Sequence, residues 1–436
     1  MVVGIRISGD EMSPGGLGPE EVLNICQALD TEPGLDYFNV IAGSSTTLAG
    51  SVHIVPPMIV ENAYLAPYAA TLKAKVSKLV FVAGRINQPQ QAEQIIATDQ
   101  ADMCGMTRAM ICDPEMPNKA GAGRIDDIRA CIGCNQACIG HFLLGYPISC
   151  IQYPETGREL DYGTLTPAPR LRKVFVVGGG PAGMKAAAVA AARGHDVSLY
   201  EATARLGGQA LIAQLLPGRA EFGGIVSNLE REVENAGVRV VRQTRVDRAL
   251  IERENPDAVI LATGARPRRT EIEGADEAHV VDAWQVLRDE TNTGASVVIA
   301  DWRCDWIGLG IAEKLARNGC RVRLCSNGYI AGQTIQQYVR DSWLGVLHEL
   351  GVELIPMARL FGADADSVYF QHTTSGEPII CEGADTLVLA MGHESDSRLS
   401  GDLADWTGEM HEIGDCLAPR TAEEAVLEGL KTGAAI

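Results

Sequence analysis

The chain has 436 residues, 46% of them hydrophobic, and 56 acidic against 37 basic side chains give a formal net charge of −19. That length allows two to four domains with large cores, and the negative charge argues against a nucleic-acid or anionic-membrane partner. No basic start leads into an apolar stretch and no run of about 18 apolar residues occurs, so neither a secretory signal nor a membrane span is expected, and twelve cysteines, mostly scattered, fit a reducing cytoplasm.

From the N-terminus the pattern alternates strand and helix. Strands are expected over 2–7, 37–42, 78–83 and 101–105, with helices over 19–29, 67–75 and 89–98. Pro19, Pro67 and Pro89 each open a helix, where a missing N–H costs nothing. Such alternation predicts parallel strands. Four β/α units are half of a (β/α)8 barrel, which typically needs about 250 residues. Half a barrel leaves two parallel edges open. We therefore expect the other units to come from the same longer polypeptide or from a partner subunit, with a doubly wound open sheet as the plain alternative. Arg6, near the end of the first strand, and Arg85 and Arg108, just after strands, suggest a phosphate site at the carboxyl rim.

Next comes Cys131-Ile132-Gly133-Cys134-Asn135-Gln136-Ala137-Cys138, with Cys150 following, a C-x2-C-x3-C-x11-C spacing. One tight loop can present three thiolates to one centre, and the fourth arrives from the next turn. Four soft thiolates suit an iron–sulfur cluster or a structural zinc. A zinc ribbon usually separates two C-x2-C pairs, so the compact triplet favours a [4Fe–4S] cluster, with zinc and unligated thiols as the alternatives.

After the linker around Pro167-Ala168-Pro169, a buried strand over 173–177 leads into Gly178-Gly179-Gly180-Pro181-Ala182-Gly183 and an Ala-rich helix over 184–193. This is G-x-G-x-x-G in its required setting. The glycines Gly178, Gly180 and Gly183, with Pro181 and Ala182, let the backbone approach a pyrophosphate at a helix N-terminus. The strand over 196–200 ends at Glu201, placed for ribose hydroxyls. A second strand–helix pair is expected over 296–300 and 311–318. Its turn reads Asp301-Trp302-Arg303-Cys304-Asp305-Trp306-Ile307-Gly308-Leu309-Gly310, where acid and indole bulk oppose a phosphate.

Taken together, Met103 to Arg108, Asp113-Pro114 and the segment 127–138 resemble the old yellow enzyme branch that carries extra domains. That branch includes 2,4-dienoyl-CoA reductase, trimethylamine and dimethylamine dehydrogenases, and bacterial N-methylproline and dimethylglycine demethylases. The likeness spans nearly the whole chain, and family members begin about half a barrel earlier. It implies an α/β fold: the C-terminal half of a (β/α)8 barrel (1–130), a cluster segment (131–166), an FAD- or ADP-binding domain (167–270 and 386–436), and an inserted NAD(P)-domain-like domain (271–385). FMN would sit at the barrel mouth, with Arg6 near the flavin N1/O2 edge and Gly84, Arg85, Gly105, Thr107 and Arg108 in the phosphate loops. His53 matches a substrate-orienting or protonating histidine, although its surroundings depart from the family's His-Glu-Ala-Arg pattern. Gly208, Gln209 and Arg219 resemble FAD contacts, as do Thr263, Gly264 and Asp415. The intact Gly414-Asp415 pair favours FAD over ADP.

The broken second fingerprint resembles the amine dehydrogenases, whose middle domain binds no nicotinamide. The implied chemistry is oxidation of an N-methyl group of a small amino acid or amine, hydrolysis of the iminium to formaldehyde, and passage of electrons through the cluster to an external electron-transferring flavoprotein. An NAD(P)H-dependent enoate or dienoyl-CoA reductase is the runner-up, and an electron-transfer subunit of a split enzyme the third reading. A cytoplasmic homo-oligomer is expected.

Overall fold

The computed structural model describes residues 1–274, 276–277 and 279–436. They fall into two compact units: Met1–Thr156 with Gln336–Ser342, and Gly157–Ile335 with Trp343–Ile436.

The first unit is built on a four-stranded sheet in the order β1 (Gly4–Ser8), β2 (Tyr37–Ile41), β3 (Leu79–Val82), β4 (Met103–Cys104). Every pairing is parallel. Spatial order equals chain order, as in consecutive β/α units. Alternation along each strand divides the sheet into two faces. Phe38, Val40, Val80 and Val82 are buried under the helices Pro19–Asp30, Ala66–Lys73 and Pro89–Ala97. Arg6, Leu79 and Met103 on the other face are exposed, and Tyr37 stacks on Phe81 there at 4.4 Å between centroids. The three prolines sit in the first turn of their helices, as anticipated.

The second unit carries, in chain order, β5 (Lys173–Val177), β6 (Asp196–Tyr200), β7 (Arg239–Val241), β8 (Ala258–Leu261), β9 (Ala265–Pro267), β10 (Val280–Asp282), β11 (Ser296–Asp301), β12 (Arg321–Ser326), β13 (Glu353–Ile355), β14 (Ala358–Ala363), β15 (Ser367–His372), β16 (Pro378–Glu382), β17 (Thr386–Ala390), β18 (His393–Ser395) and β19 (Glu409–Glu412). Two five-stranded parallel sheets result, β19-β8-β5-β6-β7 and β10-β17-β11-β12-β13, with a three-stranded antiparallel sheet β14-β15-β16 and a β9–β18 pair. Reversal of strand order beside β5 and beside β11 creates the crevices where doubly wound sheets bind ligands.

Two boundaries differ from the sequence reading. β17 pairs with β10 and β11, so the inserted set of strands extends through Ala390 and not only to residue 385. The second fingerprint helix runs Trp306–Arg317, five residues earlier than expected. The Asp305 side chain caps it by accepting from Ile307 N at 2.9 Å, which starts the helix at the indole.

Candidate functional site

In the first unit the cysteine loop is shaped by two left-handed residues, Gly133 (φ +61°) and Asn135 (φ +57°), followed by a wide turn over Gln136–Gly140. Asn135 is 1% exposed. Its Nδ2 donates to Val55 O at 2.7 Å and its Oδ1 accepts from Arg108 Nη1 at 2.7 Å. Arg108 also donates to Pro56 O at 2.8 Å. Asn87 Nδ2 donates to Cys131 O at 2.7 Å, and a Cβ on Gly133 would overlap the Arg85 guanidinium. Ser149 N donates to Ala137 O at 2.8 Å, returning Cys150 to the loop.

The four thiols converge: Cys134 feels the charges of Cys131, Cys138 and Cys150, and Cys138 those of Cys131 and Cys150. Burial pushes Cys131, Cys134 and Cys138 up, Cys138 to about 11. Cys150 is pulled down to about 7, first by a hydrogen bond with Cys112 and then by the N–H groups of Gln152 and Tyr153. Among the described residues no three His, Cys, Asp or Glu groups close on one point as a single ion requires. The donor set nevertheless fits a thiolate-bound centre. Four half-buried sulfurs come together, three of them with thiols pushed up, and bound positive charge would stabilise the thiolates.

The other sequence-predicted residues of this unit are more dispersed. Arg85 is buried with φ +50°, and its Nε and Nη2 hold Asn62 Oδ1 at 3.0 and 2.8 Å. Gly84 admits the Leu65 side chain where a Cβ would stand, and Gly105 packs on Ala83 in the same way. Thr107 opens the helix Thr107–Cys112 and is exposed. Arg6 lies on the bare sheet face. His53 sits in a turn after the short helix Leu48–Ser51. Its ring is 6.0 Å from that of Tyr64, whose hydroxyl donates to His53 O at 3.1 Å. His53 Nδ1 is buried without a hydrogen-bond partner among the described residues, and burial pulls its pKa down against the opposing pull of Asp10. Asn62, Asn87, Asn135, Cys112 and Gln152 were not singled out by the sequence. No spacing marks them, because their role is set by contacts far along the chain.

In the second unit the first fingerprint is a cradle. Gly178 (φ +110°) lies so close to the Ala262 carbonyl that a Cβ would collide with it, and a Cβ on Gly183 would collide with Gly178 O. Gly180 has open space, and the helix Pro181–Ala192 that it precedes has no side-chain cap. Its first amides therefore face out, as an anion site requires. Glu201 accepts from Gly179 N at 2.9 Å and from Thr203 N at 2.7 Å. Gly208 comes up against Gly180. Gln209 Nε2 donates to Asp415 Oδ2 at 2.8 Å, and burial pushes the Asp415 carboxyl up. Thr263 Oγ1 donates to Asp396 O at 2.7 Å, beside Gly264 (φ +78°). Glycine approach, uncapped amides and a held acid together fit an adenine dinucleotide.

The second fingerprint, built the same way, is closed. Asp301 is 2% exposed; its Oδ1 accepts from Cys304 N at 2.9 Å, and its Oδ2 lies where a Cβ on Gly308 would go. That is the place held by the Gly178 carbonyl under Gly183 in the first cradle. Burial, then the nearby Asp305 charge, push the Asp301 carboxyl well up. Asp305 occupies the helix amide that a phosphate would use and pairs with Arg303 at 3.1 Å. Arg219, the expected FAD contact, lies 3.9 Å over the Trp306 ring and 4.8 Å from that of Phe222.

A cysteine-bearing β/α unit, and a second unit with two fingerprint turns on parallel sheets, are the parts of a flavin-dependent oxidoreductase. Residues 172–411 match the pyridine nucleotide-disulphide oxidoreductase family, and residues 3–127 the NADH:flavin oxidoreductase / NADH oxidase family. The chain belongs to the proteins that join these two domains. It is 30% identical to N,N-dimethylglycine/sarcosine dehydrogenase of Chromohalobacter salexigens, over 99% of this chain and 68% of that protein. It is 37% identical to an NADH oxidase of Thermoanaerobacter brockii, over 74% of this chain and 49% of that one. A solved 2-naphthoyl-CoA reductase superposes with TM-score 0.90 at 27% identity, covering 99% of this chain and 64% of the other. The chain thus spans about half to two thirds of the length of these relatives. No helix among the described residues is long and apolar enough to cross a membrane.

Proposed function

We propose that this chain belongs to an enzyme that oxidatively N-demethylates a small N-methylated amino acid or amine and passes the electrons to an external flavoprotein. The observation that carries this reading is the closed second fingerprint. Asp301 and Asp305 put carboxyl groups and a capped helix end where an NAD(P)H pyrophosphate needs bare backbone and free amides, so a pyridine nucleotide is a poor electron source. A relative that oxidises dimethylglycine and sarcosine, by its name, is consistent with the alternative donor.

Bound FMN would supply hydride acceptance, with Arg6, Arg85 and Arg108 as the cations nearest its expected place. Cys131, Cys134, Cys138 and Cys150 would hold a [4Fe–4S] cluster, and the first cradle FAD or ADP. The chain's own groups would prepare the amine. His53, kept neutral by burial, can take a proton from an ammonium substrate, and Asp10 beside it favours the cationic form on arrival. The bare face with Arg6, Leu79 and Met103 is what further β/α units would cover, whether from a longer chain or a partner subunit. Between the third and fourth cysteines, Phe142, Leu144 and Tyr146 are 67%, 68% and 60% exposed, an apolar patch suited to docking the acceptor.

Anaerobic mixing tests this. Dimethylglycine, sarcosine or N-methylproline is expected to bleach the flavin and release formaldehyde, while NADPH and NADH leave the spectrum unchanged. Bleaching by NADPH alone, with turnover of an enoate, would replace this function with the reductase one.

A further inference from the structure

We propose that Asn135 is a positioning residue that ties the cysteine loop to the His53 loop, so that filling the four cysteines fixes the histidine. This rests on reading Cys131, Cys134, Cys138 and Cys150 as ligands of a cluster. Asn135 stands between the second and third of them, is 1% exposed and holds φ +57°. Asparagine is among the few residues with a side chain that adopt this left-handed backbone readily. Its main-chain carbonyl accepts from Gly140 N at 3.0 Å, which closes the wide turn around Cys138. Its side chain reaches out of the loop altogether. Nδ2 donates to Val55 O at 2.7 Å, 80 positions back along the chain, and Oδ1 accepts from Arg108 Nη1 at 2.7 Å. Arg108 Nη1 carries two hydrogens, and the second goes to Pro56 O at 2.8 Å.

The receiving segment is Val55-Pro56-Pro57. Neither proline has an N–H, and each ring fixes φ. Across them, hydrogen bonds can hold the backbone only by its carbonyls, and Asn135 and Arg108 take those of Val55 and Pro56. Pro56, Pro57 and Met58 are buried. A Cβ on Gly133 would come within 3.2 Å of Met58 N, so the cysteine loop also lies against the far end of the segment. A stiff, close-packed segment passes a displacement on and does not absorb it. His53 is two residues before Val55; its N–H donates to Gly50 O at 3.1 Å, and its carbonyl accepts from the Tyr64 hydroxyl at 3.1 Å. A loaded cluster holds Cys134 and Cys138 on either side of Asn135 and so fixes where the asparagine reaches. An emptied loop lets it move, and the His53 turn moves with it. The coupling is reciprocal, so weakening the Asn135 contacts also weakens the grip on iron.

The test is hydrogen–deuterium exchange, read by mass spectrometry, on the purified, cluster-loaded enzyme and on the same enzyme stripped of iron by a chelator, with iron and sulfide quantified. The amides of His53, Ile54 and Val60, which donate to Gly50 O, Ser51 O and Pro57 O, report on the loop, and those of the helix Pro19–Asp30 are the control. Stripping iron is expected to speed loop exchange roughly tenfold, the hold of about one hydrogen bond, and to leave the control unchanged. Asn135→Gly, which accepts the left-handed backbone, is expected to exchange fast in the loop with iron bound and to gain nothing further on stripping. If Asn135→Gly does not hold iron, or exchanges fast in the control helix too, Asn135→Asp carries the test. It keeps the acceptor for Arg108 and loses only the donor to Val55 O, so its loaded loop is expected to exchange at a rate between those of loaded and stripped wild type. Equal loop exchange in loaded wild type and a loaded variant, or in loaded and stripped wild type, would overturn the role of Asn135 alone. Wild-type protein holding zinc, or no iron, would overturn the cluster reading and this inference with it.

Discussion

Asp301 carries a buried carboxyl whose second oxygen has no hydrogen-bond partner among the described residues. Its raised pKa means that the folded state holds the proton more tightly than the unfolded chain does. The stability it contributes is present below about 3.8 and is lost as pH rises through the folded value. Asp301→Asn keeps the Oδ1 acceptor for Cys304 N and removes the charge. The variant is expected to melt a few degrees higher than the parent at pH 8, with the gap narrowing toward pH 5, as read by calorimetry. The same substitution should not confer reduction by NADPH, because Asp305 still caps the helix. At this scale the sequence was informative where chemistry is written in residue type, as with the cysteines and the two aspartates. It said nothing of Asn135, which pins Arg108 to the cysteine loop, since a lone asparagine between two cysteines looks like any turn residue.

The helix Pro181–Ala192 owes its place to small residues on both sides of one crossing. Gly429 and Gly433 of the helix Ala422–Ala435 approach so closely that a Cβ on Gly429 would meet Ala182 O at 2.5 Å and Lys185 Cβ at 2.9 Å. Thr421 and Glu424 complete a capping box at the start of that second helix. Gly429→Leu should force the helices apart at a cost of roughly 1–3 kcal/mol, and it should weaken retention of the adenine nucleotide because the uncapped amides move with the helix. Thermal melting and nucleotide release after denaturation check both. If stability falls while nucleotide content is unchanged, the packing does not position the cradle. Element identity was legible here: strand, glycine turn and helix all sit close to their expected places. The start of the helix Trp306–Arg317 was not, because the capping role of Asp305 competes with the reading of its turn as a damaged loop.

Across the whole molecule, burial lowers the pKa of His53, His195 and His393 alike. Each resists protonation when folded and accepts it readily when unfolded near the usual value of 6.5. Each therefore contributes stability above about 6.5 that is lost as pH falls. His195 is the cleanest probe. Its Nδ1 accepts from Arg172 N at 3.2 Å, and its Nε2 is buried without a partner among the described residues. His195→Gln should flatten the decline in melting temperature between about pH 7 and pH 5.5; an unchanged slope would mean that the histidine does not resist protonation in the fold. The sheet of the first unit raises a question at this scale too. Its helix-covered face is a finished core, while on the other face Arg6, Leu79 and Met103 stay exposed and Asn39 points away from Phe38 and Val40.

What the sequence determined alone were the local grammars: alternating strand and helix, a fixed cysteine spacing, and glycines before a helix. Each is a short-range constraint set by backbone geometry or ligand chemistry, so it survives without knowledge of the fold. Tertiary structure decided which side chains fill which cradle. The Asp301 carboxyl takes the place that a backbone carbonyl holds in its sister site, Arg219 stacks on Trp306, and Gln152 reaches the Cys112 sulfur from 40 positions away in the chain. Those outcomes depend on packing between distant segments, and packing is a property of the folded whole that no local pattern encodes.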